Sequence, residues 1–280
     1  MDLALDPLAC GFGARVDCDL AVSADPVLAK ELTAALYSYR LLVFRGQHLN
    51  HADLLSASSL FGMVDTDVDR RYAVGGFPGI TVVSNIVEDG RRVGIYDGDH
   101  EEEWHADNSF RRELTRATLL YSVITPRRGG ETRFSDATQA YADLPADLKG
   151  RIEGLRAVHS IQHLGIRQAQ AAGGWSSAAA GTLAARAEVE HPLAPVHPVT
   201  GMRSLLLGSM VVKGVTGLTE EASSPLLASL LSHATSTPYV YAHCWTQGDL
   251  VVWDNRALLH TASACDSSHY LRLLFRTSIR

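Results

Sequence analysis

Toward its C-terminus the chain runs YVYAHCWTQGDLVVWDNRALLH, from Tyr239 to His260. β-Branched and aromatic residues crowd into two short runs, 238–245 and 249–254, with turn residues between them, the pattern of consecutive short strands. The same texture extends back to residue 104. Segments 116–124, 131–135, 155–161, 203–207 and 270–279 read as further strands, interrupted by helical patterns around 145–154 and 219–233. No alternation of strand, long helix and strand occurs, which argues against a doubly wound parallel sheet and for a mainly β sandwich or barrel with flanking helices.

Before residue 104 the pattern is mixed. PVLAKELTAALYSY at 26–39 has the spacing of an amphipathic helix with Pro26 at its start. LLVFRG at 41–46 reads as a buried strand, 51–61 as a second helix stopped by Gly62, and GITVVSN at 79–85 as a strand. There is no internal repeat and no linker, so residues 1–280 are expected to form a single domain. Segment 168–190 is rich in Ala, Gly and Ser and poor in large apolar residues. A lid or insert is expected at about 165–195.

Composition narrows the function classes. The 280 residues are 46% hydrophobic and 20% charged, with a formal net charge of −6. That balance does not favour a nucleic-acid partner held through its phosphates. Apolar runs such as Leu205–Leu207 fall far short of the roughly 20 residues of a spanning helix. The N-terminus MDLALDPLAC is acidic where an export signal is basic, and Cys10, Cys18, Cys244 and Cys265 have no CxxC spacing. The expectation is a cytoplasmic protein with reduced thiols, no membrane partner and a small-molecule substrate; a homo-oligomer is compatible with this reading.

The chemistry starts at Trp104-His105-Ala106-Asp107. On an extended strand residues i and i+2 share a face, so the His105 imidazole and the Asp107 carboxylate can converge on one ion. His260 is the candidate third ligand. Two imidazoles and one carboxylate make the facial set that leaves positions open on a non-haem Fe(II). Arg272 and Arg276 lie four apart in the alternating run YLRLLFRT. They therefore share a strand face, about 13 Å apart at roughly 3.3 Å per residue. Two guanidiniums inside a barrel are costly unless each meets an anion, and arginine suits bidentate carboxylate capture. Trp104 and Trp253 read as core packing residues.

With these residues the chain resembles the taurine/2-oxoglutarate dioxygenase family, TauD/TfdA-like. The resemblance runs through Gly11-Phe12-Gly13-Ala14, Leu42–Gln47, Phe61-Gly62 and Trp104–Asp107. It continues through Gly129-Gly130-Glu131-Thr132, His197–Gly201 and Trp253–Arg256 to Arg272 and Arg276. It implies a double-stranded β-helix, the cupin-like jelly roll. It also implies an Fe(II)- and 2-oxoglutarate-dependent dioxygenase that consumes O2, releases succinate and CO2, and oxidises a C–H bond, by hydroxylation in the first place. Residue by residue, His105, Asp107 and His260 match the iron ligands. Thr132 and Arg272 match the pair on the 5-carboxylate of 2-oxoglutarate, and Arg276 matches an arginine that meets an anionic substrate. The presence of Asp107 argues against halogenation.

The chain also departs from the family pattern. Where taurine-type members carry a sulfonate-binding histidine after Phe-Gly, this sequence has Met63-Val64-Asp65-Thr66-Asp67, and residues 97–103 are strongly acidic. Asp67 is therefore a candidate contact to a cationic or hydroxyl-rich part of a substrate, and Asn108, just after the triad, a second pocket residue. Otherwise the acids form a solvated loop, and Arg276 pairs with one of them, Asp67 or an acid at 101–103. Two other functions compete with turnover. One is a jelly-roll protein that binds metal and 2-oxoglutarate without reaction. The other is a zinc-dependent cupin-like hydrolase or isomerase, which leaves Arg272 unexplained.

Overall fold

A computed structural model describes residues 3–21, 25–95, 98, 100–163 and 187–280. In chain order the strands of the first half are β1 (Leu5–Pro7), β2 (Ala14–Val16), β3 (Leu41–Phe44), β4 (Ala73–Val74), β5 (Phe77–Ser84), β6 (Val87–Glu88), β7 (Arg91–Arg92) and β8 (Ala117–Ile124). Those of the second half are β9 (Thr132–Asp136), β10 (Arg156–His159), β11 (Val189–Pro192), β12 (Val212–Val215), β13 (Val240–His243), β14 (Leu250–Asp254), β15 (Leu258–Ala262) and β16 (Leu273–Ile279).

β14 shows how the sequence builds the layers. Leu250 and Val252 point to one face and pack with helices α1 (Pro26–Tyr39) and α2 (His51–Ser59), through Leu32, Leu36, Leu54 and Ala57. Val251 and Trp253 point the other way, into a second core with Phe134, Leu258 and Ala262. β3 and β8 alternate in the same sense, as the two-residue period of a strand requires. The result is an eight-stranded sheet in the order β1-β2-β3-β14-β8-β16-β5-β4, facing a three-stranded sheet β13-β9-β15. Pairing is antiparallel except between β2 and β3. This is the expected jelly roll, with helices on its outer face.

A third core closes one end. It joins α3 (Ala137–Ala142), α4 (Ala146–Ile152), α5 (Glu220–Ala234) and the sheet β11-β10-β12 through Leu144, Ile152, Leu193, Leu226 and Leu230. Ala106 and Leu259 reach this core from either side of the ligand-bearing segments. Residues 203–207, expected as a strand, are not one. Leu205–Leu207 are buried in irregular chain, with Leu205 N bonded to Ala137 O and Leu206 N to Leu193 O. An all-apolar run signals burial without specifying a period. β15 also escaped the strand pattern, because LLHTA at 258–262 neither alternates nor is enriched in β-branched and aromatic residues. Of the expected lid or insert, residues 164–186 lie outside the described residues, and part of the remainder is β11.

Two histidines are buried in this end core. His159 closes β10, with its Nδ1 3.1 Å from Ser109 Oγ, and its ring stands edge-on to His191 at 5.0 Å. Burial, then the neighbouring His191, lowers the His159 pKa to about 3; burial lowers that of His191 as well. Both are neutral in the folded protein but take up a proton in the unfolded chain below its ordinary value of about 6.5. The stabilising contribution of His159 is therefore complete above that pH and is lost as pH falls from 6.5 toward 3, and that of His191 declines in the same direction. The limiting slope is about 1.4 kcal/mol per pH unit for each histidine. Urea unfolding of wild type and His159→Gln at pH 7.5, 6.0 and 5.0 should show a shallower pH dependence in the variant. Parallel slopes would remove His159 from this account.

Candidate active site

The site is assembled across one antiparallel pair. His105 and His260 stand opposite each other, with His105 N donating to His260 O at 2.9 Å and His260 N to His105 O at 2.8 Å. The contact continues outward, as Glu102 N donates to Ala262 O at 2.9 Å and Thr261 Oγ1 to Glu102 O. Side chains of directly opposed residues share a face. The two imidazoles accordingly lie with ring centres 4.2 Å apart. Asp107, two residues on, brings its carboxylate to 3.9 Å from His105 Nε2 and 3.7 Å from His260 Nε2. The three ligand atoms all lie within 4.8 Å of one another, and all three residues are buried.

The protonation states suit a divalent cation. His105 Nδ1 lies 2.8 Å from the Glu103 carbonyl, so it carries the proton and leaves the Nε2 lone pair toward Asp107. Burial, and then His105, hold His260 neutral, with its pKa lowered to about 3. Trp253 and Phe134 fix its ring by packing, at centroid distances of 4.8 and 6.3 Å. Burial pushes the Asp107 pKa up, but the charges of Arg276, His260 and His105 and a hydrogen bond from Thr118 outweigh it and hold the pKa at about 2. The neutral His260 imidazole, the His105 ring and the ionised Asp107 carboxylate therefore converge, and two imidazoles with one carboxylate are the donor set that fits iron. Gly208 keeps the wall behind them thin. A Cβ there would lie 2.9 Å from Trp104 O and 3.0 Å from His105 Cα.

A polar chain orients the carboxylate. Thr118 Oγ1 donates to Asp107 Oδ2 at 2.8 Å and accepts from Asn255 Nδ2 at 2.8 Å. Asn255 Oδ1 in turn accepts from Trp253 Nε1 at 3.0 Å and Asp107 N at 3.2 Å. Thr118 was not singled out from the sequence, although its inward phase on β8 was a usable signal. The Trp-Asp-Asn-Arg and His-Pro-Val-Thr-Gly stretches also find their reason here. His197 Nδ1 accepts the N–H groups of Val199 and Thr200, and its Nε2 lies 2.8 Å from Asp254 Oδ2. Arg256 completes the pairing of Asp254 at 3.2 Å. These two motifs brace the turn before β15.

A second subsite lies beside the triad. Arg272 is 1% exposed. Its Nε donates to Gly130 O at 3.1 Å and its Nη2 to Thr132 Oγ1 at 3.4 Å. Gly130, at φ +69°, leaves room for it, since a Cβ would lie 3.2 Å from Arg272 Cδ. Asn85, which the sequence reading passed over, grips the backbone of Arg272 through its Oδ1 at 2.8 Å. Thr132 and Arg272 are thus brought together as expected, with donors suited to a carboxylate.

The remaining residues are placed differently. Arg276 does pair with a protein carboxylate, but that carboxylate is Asp107, 3.2 Å from its Nη1, and neither Asp67 nor an acid at 101–103. Asp67 is 62% exposed and lies 3.6 Å from Arg111. Asp65 is buried between Arg111 and Arg280, and Glu101 pairs with Arg133. These acids are held by arginines from neighbouring segments, which only the tertiary fold brings near. Asn108 adopts φ +53°, and its Nδ2 donates to Thr115 Oγ1 at 3.1 Å. Thr118→Val should weaken Mn(II) or Fe(II) binding roughly 10- to 100-fold, the usual effect of losing an orienting partner. His105→Ala, Asp107→Ala and His260→Ala should abolish tight binding. Metal titration against a competing chelator measures both, and wild-type affinity in Thr118→Val would refute the orienting role.

Comparison with known proteins fits this geometry. The family model for "Taurine catabolism dioxygenase TauD, TfdA family" matches residues 4–278. The alpha-ketoglutarate-dependent 2,4-dichlorophenoxyacetate dioxygenase of Cupriavidus pinatubonensis is 32% identical, over 96% of this chain and 94% of that protein. Pentalenolactone F synthase of Streptomyces arenae is 32% identical, over 91% and 86% respectively. The crystal structure of AAD-2 in complex with Mn(II) and N-oxalylglycine superposes with a TM-score of 0.82 at 27% identity, over 100% of this chain and 97% of that one. Family proteins use Fe(II), 2-oxoglutarate (alpha-ketoglutarate) and O2, and the triad and the Thr132–Arg272 pair are compatible with the first two. The chain belongs to the TauD/TfdA family and is a 2-oxoglutarate-dependent dioxygenase.

Proposed function

We propose that the protein hydroxylates a C–H bond of a small, singly anionic molecule, with release of succinate and CO2. In this reading His105, Asp107 and His260 hold Fe(II), Thr132 and Arg272 hold the distal carboxylate of 2-oxoglutarate, and Arg276 receives the anion of the primary substrate. Bound iron supplies the dioxygen chemistry. The chain's own residues orient the reactants and keep water out.

The observation that carries this reading is the position of Arg276. It lies on β16, four residues after Arg272, is 25% exposed, and its Nη1 lies 3.2 Å from Asp107 Oδ1. Charge supports an anion there. With divalent iron and doubly negative 2-oxoglutarate in place, Asp107 and the two arginines leave one net positive charge, which a substrate monoanion would cancel. The 2,4-dichlorophenoxyacetate named for one relative is such a monoanion. The nearby acids do not argue for a cationic group, because Asp65 and Glu101 are already matched by arginines. Asp67 and Asn108, on loops that meet at Arg111, enter the proposal as rim residues of the substrate space.

Paired titrations test the split between the arginines. Arg272→Ala should weaken 2-oxoglutarate by roughly 10- to 100-fold, a charge-assisted contact of about 1.5–3 kcal/mol, and Thr132→Val less. Arg276→Ala should leave 2-oxoglutarate affinity near wild type while weakening the primary substrate or uncoupling succinate release from product. Arg276→Lys should restore only part of this, since an ammonium lacks the planar fork. A screen of carboxylates, sulfonates, sulfate esters and amines by succinate release and product mass supplies the substrate. Equal loss of 2-oxoglutarate affinity in both variants, or turnover of amines alone, would refute the assignment.

A further inference from the structure

We infer that Trp245 is a positioning residue that fixes the hydrogen-bond polarity of Thr132, so that the co-substrate pocket presents donors only and selects a carboxylate over an uncharged group of the same shape. The inference rests on the reading that Thr132 and Arg272 hold the distal carboxylate of 2-oxoglutarate.

The hydrogen bonds at one oxygen, Thr132 Oγ1, set this polarity. Trp245 is buried just beyond β13, and its Nε1 lies 3.1 Å from Thr132 Oγ1. Arg272 Nη2 lies 3.4 Å from the same oxygen. Indole and guanidinium nitrogens can only donate. Both lone pairs of the Thr132 hydroxyl are therefore engaged as acceptors, and its single proton must point in the remaining direction. Among the described residues no acceptor is bonded to that proton. Thr132 Oγ–H and Arg272 then offer donors together, the pattern that a carboxylate matches with two acceptor oxygens and a primary amide does not.

The indole is itself held in place. Its ring stands edge-on to His243 at 4.5 Å. His243 lies between Tyr241 Oη, 3.2 Å from Nδ1, and Asp249 Oδ2, 3.1 Å from Nε2. The same Asp249 oxygen accepts from Thr246 N at 2.8 Å and pairs with Arg45. Register contributes too, because His243 lies directly opposite Thr132 across β13 and β9. Replacing the indole by a phenyl ring removes the donor while keeping an aromatic side chain, and it frees a lone pair on Thr132 to accept from an amide.

The test is calorimetric titration of Zn(II)-loaded protein with N-oxalylglycine and with N-oxalylglycinamide, its terminal amide. Thr132→Ala should weaken N-oxalylglycine on the order of tenfold, and Trp245→Phe about fivefold. The double variant should be no weaker than Thr132→Ala to within about twofold, because Trp245 acts through Thr132. In Trp245→Phe the preference for acid over amide should narrow severalfold, a change that lost packing alone would not produce. Additive losses in the double variant, or an unchanged acid-to-amide ratio, would overturn the proposal while leaving the co-substrate reading intact. An unchanged affinity in Thr132→Ala would overturn both. Should Trp245→Phe fail to fold, indole N–H resonances of the other proteins decide. One indole signal should shift in Thr132→Ala and also on adding N-oxalylglycine to wild type, and the lack of such a shared signal counts against the proposal.

Discussion

Two backbone hydrogen bonds, between His105 and His260 in both directions, hold the site together. They join a segment that is otherwise irregular to β15 and set the two imidazoles on one face at 4.2 Å. Asp107 follows by the two-residue period of extended chain. Strand pairing and strand period thus bring all three donors onto one face. The surrounding cores reinforce the contact, with Ala106 and Leu259 packed into the end core and Phe134 and Leu258 into the inter-sheet core.

Around that contact the protein has placed charge where burial would normally exclude it. Asp107 remains ionised because Arg276, the neighbouring imidazoles and Thr118 compensate for its desolvation. Arg272 is fully buried, with the Gly130 carbonyl and the Thr132 hydroxyl among its partners. Buried charges of this kind are seldom a source of stability, since desolvation offsets much of the pairing. Charges of both signs held at this depth suit oppositely charged ligands.

The acidic segments illustrate the other half of this charge arrangement. Asp65 and Glu101 lie in stretches dense in carboxylates, yet each meets an arginine from elsewhere in the chain: Arg111 and Arg280 for Asp65, and Arg133 for Glu101. These pairs tie loops to the barrel around the triad. Arg111 also offers its carbonyl to His191, so the loop after Asp107 is fixed from two sides.

Much of this was legible in the chain itself. The helices read at 26–39 and 51–61 follow from local periodicity, because one face of each meets a core and the other does not, and the second ends at Ser59; the strand Leu250–Asp254, buried on both faces, follows instead from its run of β-branched and aromatic residues between turn signals. His105 and Asp107 were legible as a candidate ligand pair from their two-residue spacing, with His260 as the candidate third donor, whereas the pairing of Thr132 with Arg272 came only from the resemblance of their motifs to the family. What remained hidden depends on contacts across the sheets. LLHTA at 258–262 and RSLLL at 203–207 show no alternation of apolar and polar residues, so nothing local marks which of them is a strand. Asn85 and Trp245 act on partners more than a hundred residues away, and Thr118, which orients the nearby Asp107, is itself held by the distant Asn255. A threonine hydroxyl carries no sign of whether it will donate or accept. Local sequence sets the period and the ligand types, while the direction of each hydrogen bond and the partner of each charge are decided only when distant strands are brought into register.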